Sequence, residues 1–132
     1  MGDRTPLDRS GTQGFVGYNS RVTADGGGAC ALDIGPQHLN RLGLLHGGIV
    51  SMLLDNAAGV AVRNGTGDVD AAVVTVSMTV QFIAGVGEGL VTATGRVTGG
   101  GRSLKFAEAQ LRDESDRLLA SASATFRILV KR

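Results

Sequence analysis

Cysteine occurs once, at position 30, so the chain cannot close an internal disulfide, which fits a reducing compartment. Only two histidines accompany it, and no residues stand at metal-ligand spacing. Aromatic residues make up 4% of the chain, and the charge is nearly balanced, with 13 Lys and Arg against 12 Asp and Glu. That leaves neither a basic field nor a stacking platform for nucleic acid. No apolar run reaches the roughly 18 residues of a membrane span. The polar start "MGDRTPLDRSGTQG" lacks the apolar core of a signal peptide. The expectation is a soluble cytoplasmic protein with no membrane or nucleic-acid partner. Its 132 residues suffice for one hydrophobic core and not for two.

Glycine, by contrast, is plentiful, with 21 residues, and much of it punctuates apolar stretches. Residues 1–13 read as a flexible N-terminal arm, and 14–130 as a single domain. "FVGYNSRVTAD" and "GACALDIG" read as strands joined at "DGGG". "PQHLNRLGLL" then leads into a helix from Gly47 to Arg63, apolar nearly all round and therefore buried, with Asn64-Gly65 as its stop. "AAVVTVSMTVQFIA" alternates Val74, Val76, Met78, Val80 and Phe82 against Thr75, Ser77, Thr79 and Gln81. Three more strands follow, with turns at "GVGEG", "TGGG" and "ESD". The order β-β-α-β-β-β-β predicts an α+β fold, an antiparallel sheet of hairpin-linked strands with one long helix on its face.

In "HLNRLGLLHGGIVSMLLDNAAGVAV", residues 38–62, the single acid is Asp55. An unpaired carboxylate inside an apolar helix costs several kcal/mol and needs a compensating reason. Gly47 and Gly48 stand at the helix start, where backbone N–H groups lack intrahelical partners and face the positive end of the dipole. Those amides can form an oxyanion hole, or the pair can simply let the loop turn tightly. Asp55 lies about 12 Å further along the axis, whereas a base and an oxyanion donor serving one carbonyl must both sit within about 3–4 Å of it. If the two share a site, the second helix comes from another subunit, across a twofold axis. The structural alternative for Asp55 is a bond to backbone or to a Ser or Thr. His46 either fixes the helix entry or shapes the hole, and Asn40 is either a turn residue or an amide donor at the site mouth. Thr75 is a strand former or holds a water. Gly101, Arg102 and Ser103, in "GGGRS", either bring amides and a guanidinium to a phosphate or form a plain hairpin.

Together Asn40, Gly43, His46, Gly47, Gly48 and Asp55, in N-x-x-G-x-x-H-G-G…LLD, resemble the hotdog-fold acyl-CoA thioesterases of the phenylacetic-acid-degradation (PaaI-like) type. The similarity spans about residues 14 to 128. It implies a long helix wrapped by a curved antiparallel sheet, homodimers that pair their sheets, and commonly homotetramers. It implies hydrolysis of acyl-CoA, of aryl-acetyl or medium-chain type, with no metal or redox cofactor. Asp55 would be the catalytic carboxylate, acting as general base or as nucleophile, and the Gly47 N–H the carbonyl-polarising donor. His46 and Asn40 would shape that end, and Thr75 would help to place water. Gly48, Val74, Gly101, Arg102 and Ser103 complete the substrate-binding candidates. Relatives acting on hydroxybenzoyl-CoA use a glutamate further along this helix, and no Glu occurs between 46 and 65. "FIAG" lacks the proline that many relatives carry after the aromatic. A non-catalytic acyl-CoA-binding hotdog module and a hotdog hydratase are the competing readings.

Overall fold

The computed structural model describes residues 7–129. The first half of the expected arm, residues 1–6, lies outside the described residues. Its remainder is not loose: Ser10 caps a short helix, α1 (Gly11–Val16), by accepting from the Gln13 N–H. The expected domain start at residue 14 therefore falls inside a helix. Strands β1 (Asn19–Val22) and β2 (Gly28–Ile34) form the expected hairpin, although Phe15 and Val16, read as strand, belong to α1; α2 runs Gly47–Gly65, so Asn64 and Gly65 lie inside it and Thr66 caps it. After it come β3 (Val73–Phe82), β4 (Gly89–Gly100), β5 (Leu104–Arg112) and β6 (Leu118–Ile128).

All six strands join one antiparallel sheet in the order β1-β2-β4-β5-β6-β3. The curved sheet packs on α2, in the hotdog arrangement. One connection differs from expectation. "GVGEG" is no hairpin, because β3 pairs with β6 at the sheet edge while β4 lies at the centre beside β2. The segment between them crosses the start of α2 instead, where the Val86 carbonyl accepts from the Leu45 N–H.

Leu53, Leu54, Ala57, Ala58, Ala61 and Val62 of α2 are buried against Leu32, Val91, Leu111 and Phe126 of the sheet. Each large aliphatic side chain among them contributes about 1.5–3 kcal/mol. A Cβ at Gly28 or Gly95 would lie within 2.6 Å of the Ala57 carbonyl oxygen, so glycine is what lets the helix lie directly on the sheet backbone there. The helix is not buried all round. Ser51, Met52, Asp55, Asn56, Gly59 and Arg63 remain partly exposed.

Strand β3 holds the feature that positions the site. Thr75 pairs with Phe126 and Ser77 with Thr125, so Val76 is an extra residue, a β-bulge. Directly opposed residues share a face. Thr75 therefore faces the helix with buried Phe126, and beyond the bulge Met78 and Val80 do so with Ala124 and Ala122. The alternation changes phase at Val76, so Val74 points away from α2. As an edge strand, β3 leaves Val74, Val76 and Phe82 43%, 56% and 61% exposed.

Candidate active site

His46 terminates the loop before α2 with extended backbone (φ −61°, ψ 135°) and serves as its N-cap. Its Nδ1 accepts from the Gly48 N–H at 2.8 Å, while its own N–H donates to the His38 carbonyl at 2.9 Å. The ring thus consumes one of the unpaired amides at the helix start. A Cβ on Gly48 would lie 3.0 Å from that nitrogen, so the glycine is what lets the ring close over the helix end. The neighbouring Gly47 N–H has no acceptor among the described residues. It stands at the positive end of a 19-residue helix, free to meet an incoming oxygen.

Asn40 organises the loop. Its Oδ1 accepts from the N–H groups of Leu42 and Leu44, at 2.9 and 3.1 Å, in an Asx-turn arrangement. It also borders a cavity of about 320 Å³ with Leu44, Gly47, Phe82, Val86 and Leu119. The hydrogen bonds are those of the turn reading.

Asp55 is half-buried, and its partner is Thr75, whose hydroxyl donates to Oδ1 at 2.7 Å. The carboxylate accepts this bond from the sheet because the bulge turns Thr75 inward. Oδ2 takes no donor among the described residues. The pair lines a second cavity, of about 400 Å³, with Asp8, Asn56, Arg63 and Phe126. The two cavities share no lining residue. Within one chain the free amide and the free carboxylate oxygen therefore open into separate spaces, as their spacing along α2 requires.

Gly101, Arg102 and Ser103 form the exposed β4–β5 turn and line neither cavity. The turn lies at the end of the sheet that carries the start of β3: the Ser103 carbonyl accepts from Ile128 N–H, and Ile128 pairs with Val73, which lines the Asp55 cavity. Val74, on the outer face, is not brought to Asp55.

Sequence reasoning missed a network on the far side of the Asp55 cavity. Asp8 Oδ2 accepts from the Tyr18 hydroxyl and from Asn56 Nδ2 (3.2 Å), and Oδ1 accepts from the Ser10 N–H (2.9 Å). Burial alone would push the Asp8 carboxyl up, but the Tyr18 and Ser10 donors outweigh it and hold it below its ordinary value. Burial, with Asp8 beside it, pushes the Tyr18 phenol well above its ordinary value. No local pattern reveals this network, because Asn56 lies 48 positions from Asp8. The second histidine, His38, is structural: buried, it accepts from Gly35 N–H through Nδ1 and donates through Nε2 to the Val16 carbonyl at 2.7 Å. Burial pushes the Cys30 thiol up to about 12, so it is inert. Among the described residues no helix is long and apolar enough to cross a membrane, and no three His, Cys, Asp or Glu side chains cluster as metal ligands.

The family model described as thioesterase superfamily matches residues 42–120, a span that includes Gly47, Asp55 and Thr75. No curated protein matches the sequence. Among solved structures, a conserved protein of Pseudomonas aeruginosa is 29% identical, with 93% of this chain and 97% of that one covered and a TM-score of 0.85. A Bacillus halodurans protein, solved with CoA, is 25% identical over 93% of this chain and 81% of its own, with a TM-score of 0.82. The PaaI protein of the Escherichia coli phenylacetic acid degradation operon is 18% identical over 92% and 86%, with a TM-score of 0.81. At that identity it speaks for the fold alone.

Proposed function

The chain belongs to the thioesterase superfamily, and on that premise we propose that it hydrolyses acyl-CoA thioesters to the free acid and CoA, with Asp55 as the catalytic carboxylate. The observation that carries this reading is the Asp55 carboxylate on a cavity wall, fixed through one oxygen by Thr75 and open at the other.

A thioester suits so sparse a site. Its leaving thiol has a pKa of about 8.5 and departs as thiolate without a strong general acid. In the base route, Asp55 takes a proton from water as the water oxygen bonds to the carbonyl carbon. The carbonyl oxygen, now an oxyanion, sits under the Gly47 N–H. Collapse breaks the C–S bond, the thiolate leaves, and Asp55 returns its proton. In the nucleophilic route, an Asp55 oxygen forms a mixed anhydride as the thiolate departs, and water then cleaves it. Thr75 serves either route by fixing the orientation of the carboxylate. Neither needs a metal or a redox cofactor.

The amide and the carboxylate come from different protomers in this reading. The exposed edge of β3 supports it, because a ten-residue edge strand with apolar side chains is a natural seam for a second copy. Two sheets joined there form a homodimer, which can pair again into a homotetramer. Arg102, with the Gly101 and Ser103 amides, is proposed to meet the phosphates of CoA. The acyl group is proposed to be an aryl-acetyl or medium-chain one, as in PaaI-like enzymes, and the setting cytoplasmic.

Thiol release from a panel of acyl-CoAs, followed with a thiol reagent, tests the reading. Turnover by the native protein, falling at least about 10²-fold in Asp55→Asn and Asp55→Ala with an unchanged melting temperature, supports it. Near-native turnover in those variants removes Asp55 from the mechanism. Thiol release no greater than that of Asp55→Ala with every substrate favours a binding module.

A further inference from the structure

The Asp55 cavity is an open cleft, and one of its walls comes from an unexpected place. Its floor is a stripe of α2 in which Asp55, Gly59 and Arg63 follow one another at four-residue spacing, so they lie on one face over about 12 Å. Gly59 leaves the middle of that floor bare, and a Cβ there would already touch the Phe126 ring at 3.5 Å. Four consecutive residues, Leu7–Ser10, line the cavity beside the Asn56 and Arg63 part of this stripe.

That segment is fastened at three points. Asp8 is held by Tyr18 and Asn56, the Leu7 carbonyl accepts from Arg63 Nη1 at 3.4 Å, and Ser10 caps α1. Asn56 is itself joined to Ser20 of β1. Asp8 is the centre of the fastening, since it alone bonds to the segment itself, to buried Tyr18 and to α2.

Given the thioesterase reading above, on which this inference rests, the carbonyl carbon must lie at Asp55. Assigning the space along the stripe beyond it to the acyl group is part of the same reading. We propose that Asp8 is a specificity-determining residue: by clamping Leu7–Ser10 to Tyr18 and Asn56 it holds one wall of the acyl cavity in place and limits the length of acyl group the enzyme accepts. Asp8 does not touch the reacting atoms. It acts by positioning the wall, so its loss changes which substrates are used.

Two variants that remove the clamp, a third that restores part of it, and two readouts test this on the protein. Hydrolysis rates across straight-chain acyl-CoAs from acetyl to dodecanoyl give kcat/KM as a function of length. Affinities for the corresponding S-alkyl-CoA thioethers, which cannot be hydrolysed, give the same profile without chemistry. In Asp8→Ala, and in Tyr18→Phe, which removes only the clamping hydroxyl, the ratio of long-chain to short-chain kcat/KM rises at least about tenfold, the effect of about one methylene in a filled pocket. The thioether length limit moves in the same direction, and Asp8→Asn restores part of the native profile. A merely structural Asp8 would lower all lengths in parallel, and parallel profiles in both variants overturn the proposal. Absence of hydrolysis by the native protein overturns the thioesterase reading alone, because the thioether profile still reports the wall. A thioether limit unchanged by both variants overturns the wall whether or not the protein hydrolyses acyl-CoA.

Discussion

The start of α2 and its middle solve opposite problems. At the start, the group proposed to act is a backbone N–H, and the residues that carry it have no side chains: Gly47 and Gly48 are bare, and the surrounding cavity is lined mostly by aliphatic residues. In the middle, the group proposed to act is the Asp55 side chain, and other side chains accumulate around it: Thr75 from β3, Asn56 and Arg63 from α2 itself, and Asp8 from the N-terminal segment. A helix dipole needs no partner to present an amide, whereas a carboxylate inside a fold must be held by donors. The cap at the start is therefore built by local sequence, whereas the polar groups of the middle are brought together by contacts distant along the chain.

Changes that exchange these properties separate the two regions. The largest effect is expected from Gly47→Pro, which deletes the N–H while keeping the helix. Proline is favoured at the first helical position, and the extended backbone of His46 is what a following proline requires. Turnover should fall about 10²–10³-fold, the loss seen when one oxyanion donor is removed, with little change in melting temperature. Unchanged turnover would show that the amide has no catalytic part. Next comes Thr75→Val, which keeps the shape and removes the Asp55 donor. A decrease in kcat of about tenfold is expected, equivalent to 1.4 kcal/mol, and an unaltered kcat would mean that Asp55 is held by something else.

Smaller still is Gly48→Ala. Its methyl group must displace the His46 ring, so the cap is lost at a cost of about 1 kcal/mol, and a melting curve should shift down by a few degrees. No shift would show that the ring does not stabilise the helix end. The smallest effect concerns pH. The Asp8 carboxyl is held below its ordinary value, so its contribution to stability is complete above the ordinary value of about 3.9 and is lost as the pH falls through the lower folded-state value. The stability difference between the native protein and Asp8→Asn should therefore shrink in acid and stay level from pH 5 to 7. A difference that persists undiminished in acid would contradict the clamp.

The helix start was legible because its side-chain caps lie within a few residues of one another. Asn40, His46 and Gly48 are joined by hydrogen bonds to neighbours two to four positions away. The helix, the strand count and the outlying acid could likewise be read from periodicity. The phase of β3 could not. Its sequence alternates without interruption from Val74 to Phe82, yet the bulge at Val76 turns Thr75 rather than Val74 toward the helix. An edge strand can leave valines exposed, so alternation there does not identify the inward face. The Asp8 network was invisible for another reason: its members are joined only by the fold, and polar residues near a terminus look like a loose arm until Tyr18 and Asn56 are placed beside them.

The central claim is that one protomer supplies the carboxylate and its mate the amide. Co-expression of Asp55→Ala with Gly47→Pro, each alone inactive, tests it directly. In a twofold dimer the mixed species has one site with both defects and one with neither, so random pairing should restore about a quarter of native turnover. Activity no greater than that of either variant alone, in a preparation shown to contain the mixed dimer, would place both groups in one chain and contradict the account.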